Sequence, residues 1–205
     1  AGRLPGGVHS RQDGVGRVGH HPPVHVGGDS PHRVVGGGLD RHRLPHRVHA
    51  QIGAAEGVDV SQVKTDDGRL TALVILGIRD RETFPLIFYR ENCADMAIEA
   101  DDIDPHYIAG ATALVVTGTH FSTPKVDAAS RAAMKAARAA GTKIVFDIDY
   151  RPVLWGLTGR GDGETRYIRS DTVSAHLQSI VPDCDLTVGT DEEIRVAGGS
   201  DDTMK

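Results

Sequence analysis

The sequence has few cysteines, no long apolar run and no excess of positive charge. Cys93 and Cys184 lack metal-ligand spacing and are too few for a disulfide framework, so we expect reduced thiols. No segment reaches the roughly 20 apolar residues that span a bilayer, and the first residues lack the apolar core of a signal peptide. With 23 Lys and Arg against 28 Asp and Glu, the net charge of −5 argues against binding to nucleic acid or to a membrane surface. We therefore expect a cytoplasmic protein.

The first fifty residues differ in composition from the rest of the chain. They hold eight of the eleven histidines and eleven glycines, but no Lys, Glu, Ile, Phe, Tyr or Trp. Such a segment offers little for a core and shows no sustained hydrophobic period. Three explanations are open: an out-of-frame translation of GC-rich coding sequence, which we favour, a disordered basic arm, and a His-rich metal-binding tract. We divide the chain into an irregular segment, residues 1–53, and a folded domain, residues 54–205.

From residue 54 onward the pattern is that of an α/β domain. Residues 54–60 read as a helix end stopped by Gly57 and followed by a strand. Residues 69–78 and 84–90 are rich in aliphatic side chains and flank a short polar turn, which predicts an antiparallel hairpin over 69–90. Strands at 113–117, 143–146 and 186–188 then alternate with helices at 124–140, 171–180 and 191–197. This order predicts a layered α/β fold with a small accessory sheet.

Two carboxylates and a guanidinium follow the strand at 143–146. Asp147, Asp149 and Arg151 alternate, so in an extended segment their side chains would project to the same side. Pro152 keeps Arg151 out of a helix. Open α/β sheets bind ligands at the carboxyl ends of their strands. The residues alone leave two interpretations open: a ligand site, or a structural Asp–Arg pair that ties a loop.

Two segments resemble the ribokinase (PfkB) family of carbohydrate kinases: Phe88-Tyr-Arg-Glu-Asn-Cys-Ala-Asp and Phe146-Asp-Ile-Asp-Tyr-Arg-Pro-Val-Leu-Trp. Within the family they are most similar to the kinases of inositol catabolism that act on 5-dehydro-2-deoxygluconate. The resemblance extends over residues 70–199. It implies a truncated ribokinase-like α/β/α sandwich with a small β-sheet lid, to which the hairpin belongs. It also implies ATP-dependent, Mg²⁺-assisted phosphorylation of this sugar acid to its 6-phosphate.

The resemblance assigns the sugar acid to residues of the hairpin and of the segment after residue 146. Arg90 matches a lid arginine that meets the substrate in related kinases, and Arg151 matches the arginine of the Asp-x-Asn-x-Arg pattern, which faces the acid. A planar guanidinium holds a carboxylate by two parallel hydrogen bonds. Asp149, where many relatives have Asn, would accept a bond from a sugar hydroxyl or orient Arg151, and Tyr89 would lie near the sugar. The alternatives are a solvated charge for Arg90 and, as we favour, a core aromatic for Tyr89.

The resemblance places the nucleotide side at Val188-Gly-Thr190-Asp-Glu-Glu193. This run corresponds to the family's Asn-x-x-Glu motif, with Thr190 in place of Asn. Glu193 matches the glutamate that helps to hold hydrated Mg²⁺ near the nucleotide phosphates. The alternative is structural, because Asp191, Glu192 and Glu193 all suit the first turn of a helix, where carboxylates offset the helix dipole.

The chain departs from the family pattern at both ends. Val26-Gly27-Gly28-Asp29 begins like the family's amino-terminal substrate motif, but no helical pattern follows. The Gly-Ala-Gly-Asp motif, which carries the catalytic base, would lie beyond Lys205. We therefore assign no catalytic residue and expect this chain to be inactive as a kinase. The alternative function is a non-catalytic gene fragment or a binding remnant that keeps the sugar-acid pocket. If the protein forms a homodimer, the lid hairpin is the predicted contact.

Overall fold

The computed structural model describes residues 52–81, 85–159 and 167–201. The three interpretations of the His-rich segment, and the amino-terminal motif, fall on residues 1–51 and lie outside the described residues. Residues 52–55 form a helical turn, which ends at Gly57 with a left-handed φ of +82°. The prediction of a strand after this glycine is wrong, because residues 58–60 have no regular structure. Within these ranges, no helix combines the length and the apolar character needed to cross a bilayer.

The described strands form two sheets. Strands β1 (Leu73–Leu76) and β2 (Leu86–Tyr89) pair antiparallel, with Leu73 opposite Tyr89. Strands β3 (Ala113–Thr117), β4 (Lys143–Asp147) and β5 (Leu186–Val188) form a parallel sheet in the order β3-β4-β5. The predicted hairpin and the three strands predicted at 113–117, 143–146 and 186–188 are confirmed, although β1 and β2 are shorter than the sequence indicated.

The described helices longer than one turn are α1 (Pro105–Ala109), α2 (Pro124–Ala140), α3 (Asp171–Gln178) and α4 (Asp191–Gly198). Helix α2 begins after Thr123 and ends at Gly141, whose φ of +76° reverses the chain. Thr123 occupies the N-cap position, but its hydroxyl makes no capping hydrogen bond. The predicted limits of α2 are therefore right, while the capping interaction expected of Thr123 is absent.

One face of the parallel sheet carries the core. Leu114 and Val116 of β3 lie opposite Ile144 and Phe146 of β4, and all four are buried. They share a cluster with buried residues of the helices: Ala133, Met134, Ala137, Val173, Leu177, Val196 and Ala197. On the opposite face, Val115, Leu186 and Val188 are exposed. The described residues thus supply two of the three layers of an α/β/α sandwich.

Two glycines hold the carboxyl ends of the parallel strands close together. A Cβ atom at Gly118, directly after β3, would lie 2.0 Å from the carbonyl oxygen of Ile148, directly after β4. A Cβ atom at Gly189, directly after β5, would lie 2.9 Å from the Ile148 side chain. Only a residue without a side chain fits at position 118 without moving backbone. The three strand exits therefore converge on Ile148, and the polar residues beyond them are brought to one edge.

Candidate sugar-acid site

Arg151 lies at this edge with its guanidinium held by the chain itself. Its Nη2 atom is 2.6 Å from the Asp149 carboxylate, and its Nη1 donates to the carbonyl oxygen of Tyr150 at 3.0 Å. The Arg151 side chain remains 32% exposed. The backbone at Asp149 has a φ of +30°, so the segment after β4 is not extended there. The predicted Asp149–Arg151 proximity is present, but a turn rather than strand alternation produces it.

Glu193 is a buried carboxylate that joins the loop after β4 to the start of α4. Its Oε2 accepts hydrogen bonds from the Thr190 backbone N–H, at 2.9 Å, and from the Thr190 hydroxyl, at 3.1 Å. Its Oε1 accepts from the Tyr150 N–H, at 3.0 Å, and from Arg151 Nη1, at 3.4 Å. Thr190 and Glu193 also form the capping box of α4. The structural interpretation is therefore confirmed for all three carboxylates, because Asp191, Glu192 and Glu193 lie in the first turn of α4; Glu193 differs in being buried.

Asp147 adds a third carboxylate to the same edge. Burial raises the pKa of the Asp147 carboxyl, and the neighbouring Asp149 and Glu193 charges raise it further. A hydrogen bond from the Asp149 N–H and the positive charge of Arg151 act in the opposite direction. One guanidinium therefore faces three carboxylates, which leaves this edge with an excess of negative charge close to Arg151.

Arg90, at the end of the hairpin, forms an ion pair with Asp95 in which both side chains are 14% exposed. The interpretation of Arg90 as a solvated strand-end charge is therefore wrong. Tyr89 is 51% exposed and pairs across the hairpin with Leu73. The core-aromatic interpretation of Tyr89, which we favoured, is wrong as well. The predicted contact of these two residues with a sugar stays a prediction.

His120 lies at the carboxyl edge of the parallel sheet, close to the charged pair at the end of the hairpin. It lies in the helical turn Gly118–Phe121 that directly follows β3. Burial lowers the pKa of His120, the nearby charge of Arg90 lowers it further, and Asp95 raises it. The charges of Arg90 and Asp95 act on His120, so the end of the hairpin lies near the turn after β3, and β3 ends beside β4, with Thr117 opposite Asp147. Their convergence on one ligand stays a prediction.

Glu193, which the resemblance assigns to hydrated Mg²⁺, is already engaged by hydrogen bonds from the chain itself. An ionised carboxylate offers about four acceptor positions, and Glu193 already receives four hydrogen bonds from the chain while only 5% exposed. Among the described residues, no group of three or more His, Cys, Asp or Glu has a geometry that could hold a metal ion. A metal-bound water would have to displace Thr190 or Arg151 from Glu193. The assignment of Glu193 to Mg²⁺ therefore stays a prediction.

Three residues of this edge were not identified from the sequence. Asp95 follows Arg90 by five positions and lies in the 3₁₀-helical turn Ala94–Ala97, and no periodicity of the sequence indicates the pair. His120 and Gly118 belong to Thr117-Gly-Thr-His120, a polar run directly after an apolar strand. Polar residues after a parallel strand are a usable signal, because ligands bind there. The close approach of Gly118 to Ile148 depends on the sheet itself and leaves no local signature.

Comparison with known proteins shows relatives of one function. The chain is 34% identical over 155 residues to a 5-dehydro-2-deoxygluconokinase of Shouchella clausii, covering 73% of this chain and 44% of that protein. It is 33% identical over 138 residues to the protein of the same name from Geobacillus kaustophilus, covering 67% and 38%. The chain thus spans less than half the length of these relatives. No family model matches the chain.

Solved structures share the fold. A PfkB protein from a Polaromonas species superposes with a TM-score of 0.67 at 23% identity, over 80% of this chain and 52% of that one. A ribokinase II from E. coli, crystallised with ATP and Mg²⁺, gives a TM-score of 0.67 at 16% identity, over 82% and 49%. At these identities the likeness concerns the fold alone. The chain has a ribokinase-like α/β fold, as predicted.

Proposed function

We propose, from the relationship of this chain to carbohydrate kinases of the ribokinase (PfkB) family, that its site binds the sugar acid 5-dehydro-2-deoxygluconate. The whole protein transfers the γ-phosphoryl group of ATP to a hydroxyl of this acid, giving the 6-phosphate. The proposal is supported by the names of the relatives, which agree on one substrate. Residues 54–205 belong to the kinase domain, and the hairpin at 69–90 belongs to its lid.

The observation that carries the proposal is the position of the Arg151 guanidinium. It lies at the carboxyl edge of the parallel sheet, partly exposed, with its direction fixed by Asp149, Glu193 and the Tyr150 carbonyl oxygen. A fixed, partly exposed guanidinium suits a planar acid, because it can donate two parallel hydrogen bonds without first losing conformational freedom. Arg90, fixed by Asp95, supplies a second positive charge from the hairpin. Tyr89, exposed on the hairpin, contributes its ring or hydroxyl to the sugar.

ATP with Mg²⁺ is the proposed phosphoryl donor, in keeping with the E. coli ribokinase II that was crystallised with both. Bound Mg²⁺ would supply positive charge beside the phosphates of ATP. The residues of this chain contribute the turn from Gly189 to Glu193, whose capping box fixes the start of α4 beside the loop that carries Arg151. We also propose a cytoplasmic location, because two cysteines are too few for a disulfide framework.

Titration calorimetry of the purified chain with 5-dehydro-2-deoxygluconate tests the acid site. Arg151→Ala should weaken binding roughly 10- to 100-fold, because hydrogen bonds to charged groups contribute about 1.5–3 kcal/mol each. Arg90→Ala should also weaken binding of the acid. The control is Arg138→Ala, which removes a 53% exposed arginine of α2 that pairs with Asp183. Absence of binding by the unmodified chain, or equal losses in all three variants, would overturn the proposal.

Phosphorylation is measured separately, because binding does not require it. A coupled assay of ADP release with the same acid reports whether the 205-residue chain transfers phosphate. Transfer of phosphate to the acid would support the proposed substrate. Transfer of phosphate to neutral ketoses, but not to the acid, would overturn the proposed substrate.

A further inference from the structure

Glu193 engages Arg151 in a way that leaves one edge of the guanidinium available. Nη1 donates to the Tyr150 carbonyl oxygen and to Glu193, whereas Nη2 forms an ion pair with Asp149. Among the described residues, Nε has no hydrogen-bond partner. Nε and Nη2 form one edge of the guanidinium, and such an edge can hold a carboxylate by two parallel hydrogen bonds.

We propose that Glu193 is a positioning residue that sets the direction of Arg151 and thereby the affinity of the site for a carboxylate. The inference rests on the proposed function for the identity of the acid. Glu193 does not touch the substrate; it acts by holding Nη1, so that the Nε–Nη2 edge faces outward. A guanidinium released from Glu193 would rotate about its side-chain torsions and present this edge only part of the time.

The Oε2 atom of Glu193 makes the position of this carboxylate rigid. Oε2 is bonded to both the backbone N–H and the hydroxyl of Thr190, so the carboxylate cannot turn without opening the capping box of α4. Oε1 also receives the N–H of Tyr150, a residue that is fully buried. The acid-binding arginine is thus anchored to the first turn of α4, the turn assigned by resemblance to the nucleotide side.

Hydrogen exchange of the unliganded chain tests the anchoring itself. In Glu193→Ala the amide of Tyr150 loses its acceptor and should exchange at least about tenfold faster, while the amides inside β4 keep their rates. The matched control is Glu192→Ala, which removes the same chemical group one position earlier from an exposed site on α4. Equal rates at Tyr150 in both variants would overturn the inference whether or not the chain binds a sugar acid.

Binding selectivity tests the consequence for Arg151. In buffer containing EDTA and no nucleotide, Glu193→Gln should weaken 5-dehydro-2-deoxygluconate about tenfold or more, but leave the corresponding neutral sugar, with an alcohol in place of the acid, nearly unchanged. Glu192→Gln should change neither. A general loss of structure would weaken both ligands alike, and a role confined to Mg²⁺ would change neither in EDTA. Either result would contradict the positioning role.

The two measurements separate this inference from the proposed function. If the unmodified chain binds no sugar acid, the proposed function fails, and the exchange rate at Tyr150 still decides whether Glu193 anchors the loop. If the acid binds but Glu193→Gln loses no selectivity, the proposed function stands and the positioning role is wrong. If Glu193→Ala does not fold, the exchange measurement is made on Glu193→Gln, and unchanged protection there together with unchanged selectivity is the contradicting result.

Discussion

The Asp149 carboxylate lies 2.6 Å from the guanidinium of Arg151, two residues further along the chain. The group proposed to bind a substrate acid is therefore already paired with an acid of the protein. Asp149 achieves this with a φ of +30°, a conformation that Asn and Asp adopt more readily than most residues. An incoming carboxylate has to share Arg151 with Asp149, and the two negative charges repel each other.

Replacing the Asp149 carboxylate by an amide should strengthen binding of the substrate acid. In Asp149→Asn the local fold is retained, because Asn tolerates positive φ. We expect the acid to bind roughly two- to fivefold more tightly, since a partly exposed ion pair is worth up to about 1 kcal/mol. Calorimetry with 5-dehydro-2-deoxygluconate measures the change. Asp171→Asn is the control, because its side chain is 96% exposed. Weaker binding in Asp149→Asn would show instead that Asp149 accepts a sugar hydroxyl.

Asp147 should make the folded state less stable at neutral pH than an amide would. Because its pKa is raised in the folded chain, ionisation opposes folding: the penalty is absent below its ordinary value of 3.8 and develops as the pH rises through the folded value. Asp147→Asn keeps an acceptor for the Asp149 N–H and should raise the free energy of unfolding at pH 7. Urea unfolding at several pH values measures this gain, which should vanish near pH 3.5. A gain that is constant with pH would contradict the assignment.

Gly118 should tolerate no side chain. A Cβ atom there would lie 2.0 Å from the Ile148 carbonyl oxygen, so Gly118→Ala must separate the ends of β3 and β4. Overpacking costs about 1–3 kcal/mol, which corresponds to a melting temperature lower by several degrees for a chain of this size. The control is Gly159→Ala, where a Cβ atom would meet no other atom within 4 Å. The melting temperatures are measured by thermal unfolding. An equal decrease in both variants would contradict the close approach of Gly118 to Ile148.

The hairpin should be the contact in any homodimer. Leu73, Ile75, Ile87 and Tyr89 lie on one face of β1 and β2 and are between 37% and 55% exposed. An apolar face of this kind is costly in water and favours association. Ile75→Lys should therefore convert a dimer into a monomer in light scattering after gel filtration, whereas Val181→Lys, outside the hairpin, should not. A dimer that survives Ile75→Lys would place the contact elsewhere.

The features predicted well from the sequence are those with local causes. Strand β3, helix α2 and the left-handed glycine at 141 follow from apolar runs, a proline in the first turn and a residue without Cβ. The proximity of Asp149 and Arg151 was also anticipated, although its cause was not. The positive φ of Asp149 is stabilised by a contact with a distant segment: the N–H of the next residue, Tyr150, donates to Glu193.

The features that sequence patterns missed depend on contacts between distant segments. Glu193 belongs to an acidic first turn, and its contacts with residues 43 and 42 positions earlier, which distinguish it from Asp191 and Glu192, could not be predicted from the local sequence. Tyr89 looks like a core aromatic because its strand is apolar, but in the described residues the hairpin forms a separate two-stranded sheet that exposes it. Burial of a residue in a small sheet depends on what covers the sheet, which periodicity does not reveal.

Tyr150 carries a further consequence of the loop after β4. Its side chain is fully buried, burial raises its pKa to about 12, and its hydroxyl donates to the carbonyl oxygen of Ile168 at 2.6 Å. The core cluster likewise joins β4 to α3 and α4. A protease that cuts after Arg160 or Arg166 would therefore leave two fragments that stay associated under native conditions and separate only in denaturant. The chain should behave as a nicked but intact molecule.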